Sequence, residues 1–147
     1  MEDEWLHQLV GEWTWTSDTQ PNTGTESVRS LGGSWIVVER VGDTPGGTSS
    51  TSIVTLGYSA EKNKYVGTFV ASAMSDLWRY EGFVDRNANA LVLDTEGPGF
   101  VDPSRRGRYK DTIRIIDKEN RVMTSTYQSE SGEWLELMTL RYRSRGS

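Results

Sequence analysis

The sequence predicts an all-β fold, namely a closed antiparallel up-and-down barrel of about 8–10 strands with a short N-terminal helix. Short runs of strand-forming residues recur along all 147 residues, and turn-sized connections rich in Gly, Asn, Asp and Pro join nearly all of them. Strands connected so closely pair with their neighbours in the chain. An open meander of this length would leave two exposed edges, so we expect the first and last strands to pair and close the barrel.

The predicted elements are bounded by recognisable turn residues, such as the Gly32-Gly33 pair, which predicts a tight reversal. The one predicted helix, residues 2–8, is acidic in its first turn, which suits the helix dipole, and its apolar face carries Trp5 and Leu9. We interpret residues 1–147 as a single domain. The expected strands are residues 9–17, 25–31, 35–41, 52–59, 65–72, 77–84, 91–95, 109–116, 122–128 and 134–142.

The composition limits both the chemistry and the partners of the protein. The chain has no Cys and a net charge of −5, so we expect neither a disulfide nor a thiolate metal site, and no nucleic acid partner. The opening Met1-Glu2-Asp3-Glu4 lacks the basic and apolar parts of a secretory signal, and no apolar run approaches the ~20 residues that span a bilayer. We therefore expect a soluble, cytoplasmic protein that does not contact membranes.

The sequence also lacks the signals of common catalytic machinery. A triad of nucleophile, His and acid would have to use His7, the sole histidine, for which a surface or packing role fits better. The chain contains neither a phosphate-binding loop nor a dinucleotide-binding glycine motif. We accordingly predict no metal and no cofactor.

Gly11-Glu12-Trp13 follows the predicted helix and opens the first strand. This segment resembles the Gly-x-Trp signature of the lipocalin-like, or calycin, superfamily. The resemblance implies that an Arg late in the last strand, Arg141 or Arg143, packs over the Trp13 ring, a cation–π contact worth roughly 0.5–2 kcal/mol. One relative in that superfamily binds haem through a His, but His7 lies outside every predicted strand, so we expect no haem here.

A second resemblance covers most of the chain. An ordered set of short motifs is similar to those of an uncharacterised family of bacterial lipocalin-like domains, many of which have Asp where this chain has Ser59. The resemblance implies a lipocalin-like barrel and brings no established activity. The motifs are Leu31-Gly32-Gly33-Ser34-Trp35, Leu56-Gly57-Tyr58-Ser59, Glu96-Gly97-Pro98 and a closing Tyr142-Arg143.

Strand alternation predicts which side chains face the barrel interior. In the strand at 77–84 the more apolar face carries Trp78 and Tyr80, so Arg79 and Glu81 should face solvent as an ordinary surface pair.

Carboxylates that share a face with apolar residues are candidates for the interior, and by this argument they are Glu39, Asp111 and Glu136. Aromatic walls with a few polar groups are typical of small-molecule pockets. The candidate ligand-binding residues are Trp35, Tyr58, Phe69, Trp78, Tyr80, Asp111, Tyr127 and Glu136.

Three functions are compatible with these residues. We favour the binding of a small, partly apolar or amphipathic ligand inside the barrel, with a cluster of cations at the rim that could attract an anion. These rim residues are Arg105, Arg106 and Arg108.

The alternative is a hydrolase-type or isomerase-type enzyme that uses Asp111 or Glu136 with Tyr58 or Tyr127 as the proton donor, although we favour a non-enzymatic role. The third is a structural or interaction domain without a ligand, which could form a homodimer and use Trp5 as a contact residue.

Overall fold

The computed structural model describes residues 2–18, 22–43 and 49–145, and within them it contains one helix and ten antiparallel strands. Each strand pairs with its neighbours in the chain, as the short connections predict. The helix is α1 (Glu2–His7), and the strands are β1 (Gly11–Ser17), β2 (Thr23–Leu31), β3 (Trp35–Asp43), β4 (Ser49–Ser59), β5 (Lys64–Ala71), β6 (Trp78–Asp85), β7 (Ala90–Pro98), β8 (Arg106–Ile115), β9 (Asn120–Gln128) and β10 (Trp134–Ser144).

The sheet closes into a barrel because β1 pairs with β10, in a register that sets Trp15 opposite Tyr142. This confirms the predicted fold class and the predicted pairing of the first and last strands. Closure removes the two exposed edges that an open ten-stranded meander would present. Among the described residues, no helix is both long enough and apolar enough to cross a membrane.

Alternation along the strands separates interior from exterior side chains. On β6, Trp78 and Tyr80 face the interior while Arg79 and Glu81 are exposed, as predicted. The alternation is interrupted on β10, where the pairing with β9 shifts between Glu136 and Met138. Such a β-bulge moves every residue beyond it to the opposite face.

The helix α1 closes one end of the barrel. Trp5, Leu6 and Leu9 are buried against the core, and the Trp5 indole Nε1 donates a 2.9 Å hydrogen bond to Asn89 Oδ1. The hydroxyl of Tyr65 on β5 donates to the backbone carbonyl of Glu2 at 2.9 Å. Trp5 therefore belongs to the core, and its predicted role as a contact residue for a partner is wrong because only 6% of it is exposed.

The opposite end of the barrel is its mouth. The connections between β1 and β2, β5 and β6, β7 and β8, and β9 and β10 all lie at this end, because the strands run alternately up and down. The interior between the helix and the mouth is the candidate functional region.

The helix that closes the barrel should contribute strongly to stability. We expect Leu6→Ala and Leu9→Ala each to lower the free energy of unfolding by about 2–5 kcal/mol, because each creates a cavity at a side chain that is 1% exposed. Val10 is 40% exposed, so Val10→Ala is the matched control and should change stability by about 0.5 kcal/mol or less. Urea unfolding checks this, and equal effects at positions 6 and 10 would contradict the closing role of α1.

Candidate functional site

A buried network of charged and polar groups joins β2, β3, β9 and β10 inside the barrel. Glu26 on β2 forms an ion pair with Arg121 on β9, and both side chains are at most 4% exposed. The hydroxyl of Tyr142 on β10 donates to Glu26 Oε1 at 2.7 Å, and Arg40 Nη1 on β3 donates to the Tyr142 oxygen at 3.1 Å. The carboxylate of Glu26 is thus held by two donors, one of them cationic.

The Arg121 guanidinium lies between two aromatic rings, 4.7 Å from the Trp13 ring centroid and 3.9 Å from that of Tyr142. A cation over the Trp13 ring was predicted, but its assignment to Arg141 or Arg143 was wrong. Those two residues alternate with the buried Leu140 and Tyr142 and are therefore exposed on the outer face.

The surroundings of these groups favour one protonation state. Burial raises the pKa of Tyr142, and the negative charge of Glu26 adds to that effect, although Arg40 opposes it. Burial alone would lower the pKa of Arg40, but Tyr142 and Glu26 together raise it above its ordinary value. The network therefore holds a neutral phenol between a carboxylate and a cation.

Asp111 on β8 forms a second interior cluster. Its two carboxylate oxygens accept hydrogen bonds from the hydroxyls of Tyr80 at 2.5 Å and Ser125 at 2.6 Å. Burial raises the pKa of Tyr80, and the charge of Asp111 raises it further. The tyrosine that contacts Asp111 is therefore Tyr80, and neither Tyr58 nor Tyr127, which the enzyme hypothesis paired with it, donates to this carboxylate.

The interior contains two adjoining spaces. A chamber of about 260 Å³ lies at the mouth end, and an inner cavity of about 40 Å³ lies deeper, between the two polar clusters. Arg40 and Ser52 line both spaces. The chamber is lined by Trp15, Ser17, Asn22, Arg40, Gly42, Ser50, Ser52, Phe69, Ala71, Ala73, Met74, Met138 and Leu140.

The indole of Trp15 forms one wall of this chamber. It lies flat against Gly24 and Gly42, where a Cβ atom on either glycine would collide with the ring. The Trp15 Nε1–H is buried and has no acceptor among the residues that the structure describes. A buried donor without an acceptor costs roughly 1–3 kcal/mol of stability. Such a donor is therefore unusual in a core that serves packing alone.

Six of the eight candidate ligand-binding residues face the interior, but they do not form one site. Phe69 lines the chamber, and Tyr80 and Asp111 line the inner cavity. Trp78 packs edge-on against Tyr109 at 5.2 Å. Tyr127 packs on Phe100 at 4.9 Å, and Tyr58 packs on Tyr65 at 5.0 Å near the helix end. Whether these six bind a ligand stays a prediction.

Trp35 and Glu136 lie outside the barrel, so their predicted interior position was wrong. Trp35 is 42% exposed, because β3 points Ile36, Val38 and Arg40 inward instead. The same alternation leaves the carboxylate of Glu39 exposed.

Glu136 precedes the β10 bulge, which reverses its face relative to Met138, Leu140 and Tyr142. The sequence places all four residues on one face only if the strand is regular.

The predicted rim cations lie near the mouth but are exposed on its outside. Arg105 pairs with Glu130 at 3.0 Å, and Arg108 approaches Glu96 at 3.9 Å. Arg106 and Arg108 alternate with Gly107 and Tyr109, so they do not face the chamber. Their predicted binding of an anion stays a prediction.

Of the four described charged residues that line the inner cavity, the sequence analysis predicted Asp111 and missed Glu26, Arg40 and Arg121. One signal could have found two of them. The Gly32-Gly33 reversal pairs Leu31 with Trp35, and counting back along both strands brings Glu26 opposite Arg40. An acidic and a basic residue directly opposite each other on neighbouring strands indicate that both side chains lie on the same face of the sheet.

The chain thus forms a closed ten-stranded antiparallel barrel with a terminal helix and an interior chamber. A comparison with family models identifies the family. The chain belongs to the family described as Protein of unknown function (DUF1579), whose model matches residues 1–144. No curated protein matches the chain.

Two solved structures have a similar fold. One is the S-type phycobiliprotein lyase CPES from Guillardia theta, with a TM-score of 0.55 and 14% identity over 99% of this chain and 93% of that one. The other is EF1p2_mFAP2b bound to DFHBI, with a TM-score of 0.47 and 9% identity over 99% of this chain and 100% of that one.

The ion pair inside the barrel should behave as a coupled unit. We expect Glu26→Leu or Arg121→Met alone to lower the free energy of unfolding by about 3–5 kcal/mol, because each leaves a buried charge without its partner. The double variant should lose clearly less free energy of unfolding than the sum of the two single losses. Arg141→Met, which removes the exposed pair with Asp18, is the control and should cost about 1 kcal/mol or less. Additive losses at positions 26 and 121 would contradict the coupling.

The buried tyrosines should make the fold sensitive to alkali. Because the pKa values of Tyr80 and Tyr142 are raised on folding, their contribution is complete below the unfolded value of about 10 and is lost as the pH rises above it. We expect each to add up to about 1.4 kcal/mol per pH unit to the decline of stability between about pH 10 and pH 11. Urea unfolding of Tyr80→Phe and Tyr142→Phe should show a shallower decline, whereas an unchanged decline would refute this assignment.

Proposed function

We propose that the protein binds a small, partly apolar ligand inside the barrel, in the chamber at its mouth. The observation that carries this proposal is the lining of that chamber. Apolar side chains such as Trp15, Phe69 and Met138 form much of it. Arg40 and Ser52 supply polar groups at its junction with the inner cavity, and the other polar residues of the lining are Ser17, Asn22 and Ser50. Ligand sites in proteins typically combine apolar walls with a few placed polar groups in this way.

The distribution of large and small residues supports a chamber meant to stay open. Trp78, Tyr109 and Tyr127 occupy the β6–β9 side of the mouth, whereas the residues of β4 and β5 that line the chamber include the small Ser50, Ser52 and Ala71. Protein cores are packed to the density of organic crystals, so a cluster of small residues facing one space is costly to stability. Such a cost is reasonable where a ligand occupies the space.

The size of the chamber limits the ligand. At about 260 Å³ it lies just below the range of roughly 300–1,000 Å³ that is usual for ligand pockets, so it suits a compact molecule. The likeness to the phycobiliprotein lyase is one of fold alone, at 14% identity. The lining of this chamber, and not the activity named for that protein, therefore defines the ligand. A homodimer and a cytoplasmic location stay predictions from the sequence.

Occupation of the chamber should be visible at one indole proton. We expect 1-octanol to shift the Trp15 Nε1–H resonance in a nitrogen–proton correlation spectrum, because the indole ring that carries this group lines the chamber. The Trp35 indole, on the outer face, serves as the internal control and should not shift.

Two variants on one strand make the test specific. Ala71→Phe fills the chamber and should abolish the Trp15 shift, whereas Val70→Phe points outward from the adjacent position, which is 42% exposed, and should preserve it. Binding of 1-octanol that persists in Ala71→Phe, or a shift of Trp35 as large as that of Trp15, would contradict the proposed function.

A further inference from the structure

We propose that the chamber selects ligands with a carboxylate head group, which Arg40 binds, over neutral molecules of the same shape. This inference rests on the proposed function and names the class of ligand. It follows from the hydrogen bonds that Arg40 makes, from the charges that line the chamber and from the position of Arg40 where the chamber meets the inner cavity.

Arg40 has donor groups that no described residue uses. A guanidinium carries five N–H donors in a planar fork, yet among the described residues the Arg40 side chain donates one hydrogen bond, to the Tyr142 oxygen at 3.1 Å. Within the described part of the chain, no carboxylate lies within 4.0 Å of its guanidinium, whereas Arg121 has such a partner in Glu26. The remaining N–H groups of Arg40 therefore have no acceptor in the described part of the chain, and these are the groups that would bind a ligand.

The nearest carboxylate is already engaged. Glu26 lies opposite Arg40 in the β2–β3 register, but its two oxygens accept from Arg121 and from the Tyr142 hydroxyl. Tyr142 offers Arg40 only the oxygen of a neutral phenol, because its proton is donated to Glu26. A cation that is held by a neutral acceptor in a low-dielectric interior gains strongly from an added anion.

The charges that line the chamber favour an anion over a cation. Of the described residues around it, Arg40 alone is charged. The interior carboxylate Asp111 has no cationic partner among the described residues, but it does not line the chamber. It lines the inner cavity of about 40 Å³ and accepts hydrogen bonds from two hydroxyls. A ligand that enters the chamber therefore meets the Arg40 guanidinium before it reaches Glu26 or Asp111, which line the inner cavity.

The position of Arg40 sets the orientation of the ligand. Arg40 and Ser52 form a cross-strand pair on β3 and β4, and both line the chamber and the inner cavity beyond it. The planar fork of Arg matches the two oxygens of a carboxylate, and the Ser52 hydroxyl supplies a further donor beside it. The head group would thus lie at the inner end of the chamber, with the apolar part toward Phe69 and Met138.

Three eight-carbon probes test this inference by calorimetric titration near neutral pH, namely sodium octanoate, 1-octanol and octylamine. They share a chain and differ in the charge of the head group. For the unmodified protein we expect octanoate to bind about 10-fold or more tightly than 1-octanol, and octylamine to bind more weakly than either, because a hydrogen bond to a charged group is worth more than a neutral one.

Substitutions then assign the preference to one side chain. Arg40→Met should weaken the binding of octanoate roughly 10- to 100-fold and leave the binding of 1-octanol nearly unchanged. Arg40→Lys keeps the charge without the planar fork, so it should lose less affinity for octanoate than Arg40→Met does. Arg79→Met removes an exposed cation from the outer face and is the matched control, with no expected change for any probe.

The outcomes separate this inference from the proposed function. Equal affinity of the unmodified protein for octanoate and 1-octanol, or a preference for octylamine, would overturn the assignment to Arg40 while leaving a ligand chamber in place. An equal loss of affinity for octanoate and for 1-octanol in Arg40→Met would also overturn it. Failure of all three probes to bind would overturn the proposed function, and this inference with it. The comparison of probes on the unmodified protein needs no variant to fold.

Discussion

The ion pair between Glu26 and Arg121 is the interaction on which the interior depends. A carboxylate that is 3% exposed must be paired, and its partner comes from β9, which is separated from β2 by β1 and β10 around the barrel. With Trp13 and Tyr142 stacked on the guanidinium and Arg40 bound to the tyrosine, the network joins β9, β10, β1, β2 and β3. It therefore spans the seam where the two ends of the sheet meet, so closure of the barrel and satisfaction of the buried charges require each other.

The same network explains why one cation is left available. Two interior arginines approach one glutamate. Arg121 forms the ion pair with it, while among the described residues Arg40 donates only to the Tyr142 oxygen. Arg40 lines the chamber together with the apolar Trp15, Phe69 and Met138 and with small residues of β4 and β5, whereas aromatic rings fill the β6–β9 side of the mouth. A cation with donors that no described residue uses thus lies beside an apolar space, and together they suit a ligand with an anionic head group and an apolar part.

The fold could be predicted from the sequence because its signals are local. Turn residues and the spacing of short strands determine an up-and-down sheet, and the need to remove edges then implies closure. The site could be predicted only in part, because a face assignment by alternation requires a regular strand whose inner face is the more apolar one. β6 meets both conditions, β10 fails the first at its bulge, and β3 fails the second because its inner face carries Arg40 while Trp35 lies outside. The partner of Trp13 is fixed by pairing between distant strands, which periodicity does not reveal.

A crystal structure of the protein grown with octanoate would test most directly whether the unused donors of Arg40 define the ligand. We expect the carboxylate oxygens within about 3 Å of the Arg40 guanidinium nitrogens, with the chain running past Phe69 and Met138 toward the mouth. Octanoate bound with its carboxylate at the mouth and its chain toward Arg40, or bound only on the outer surface, would contradict the account.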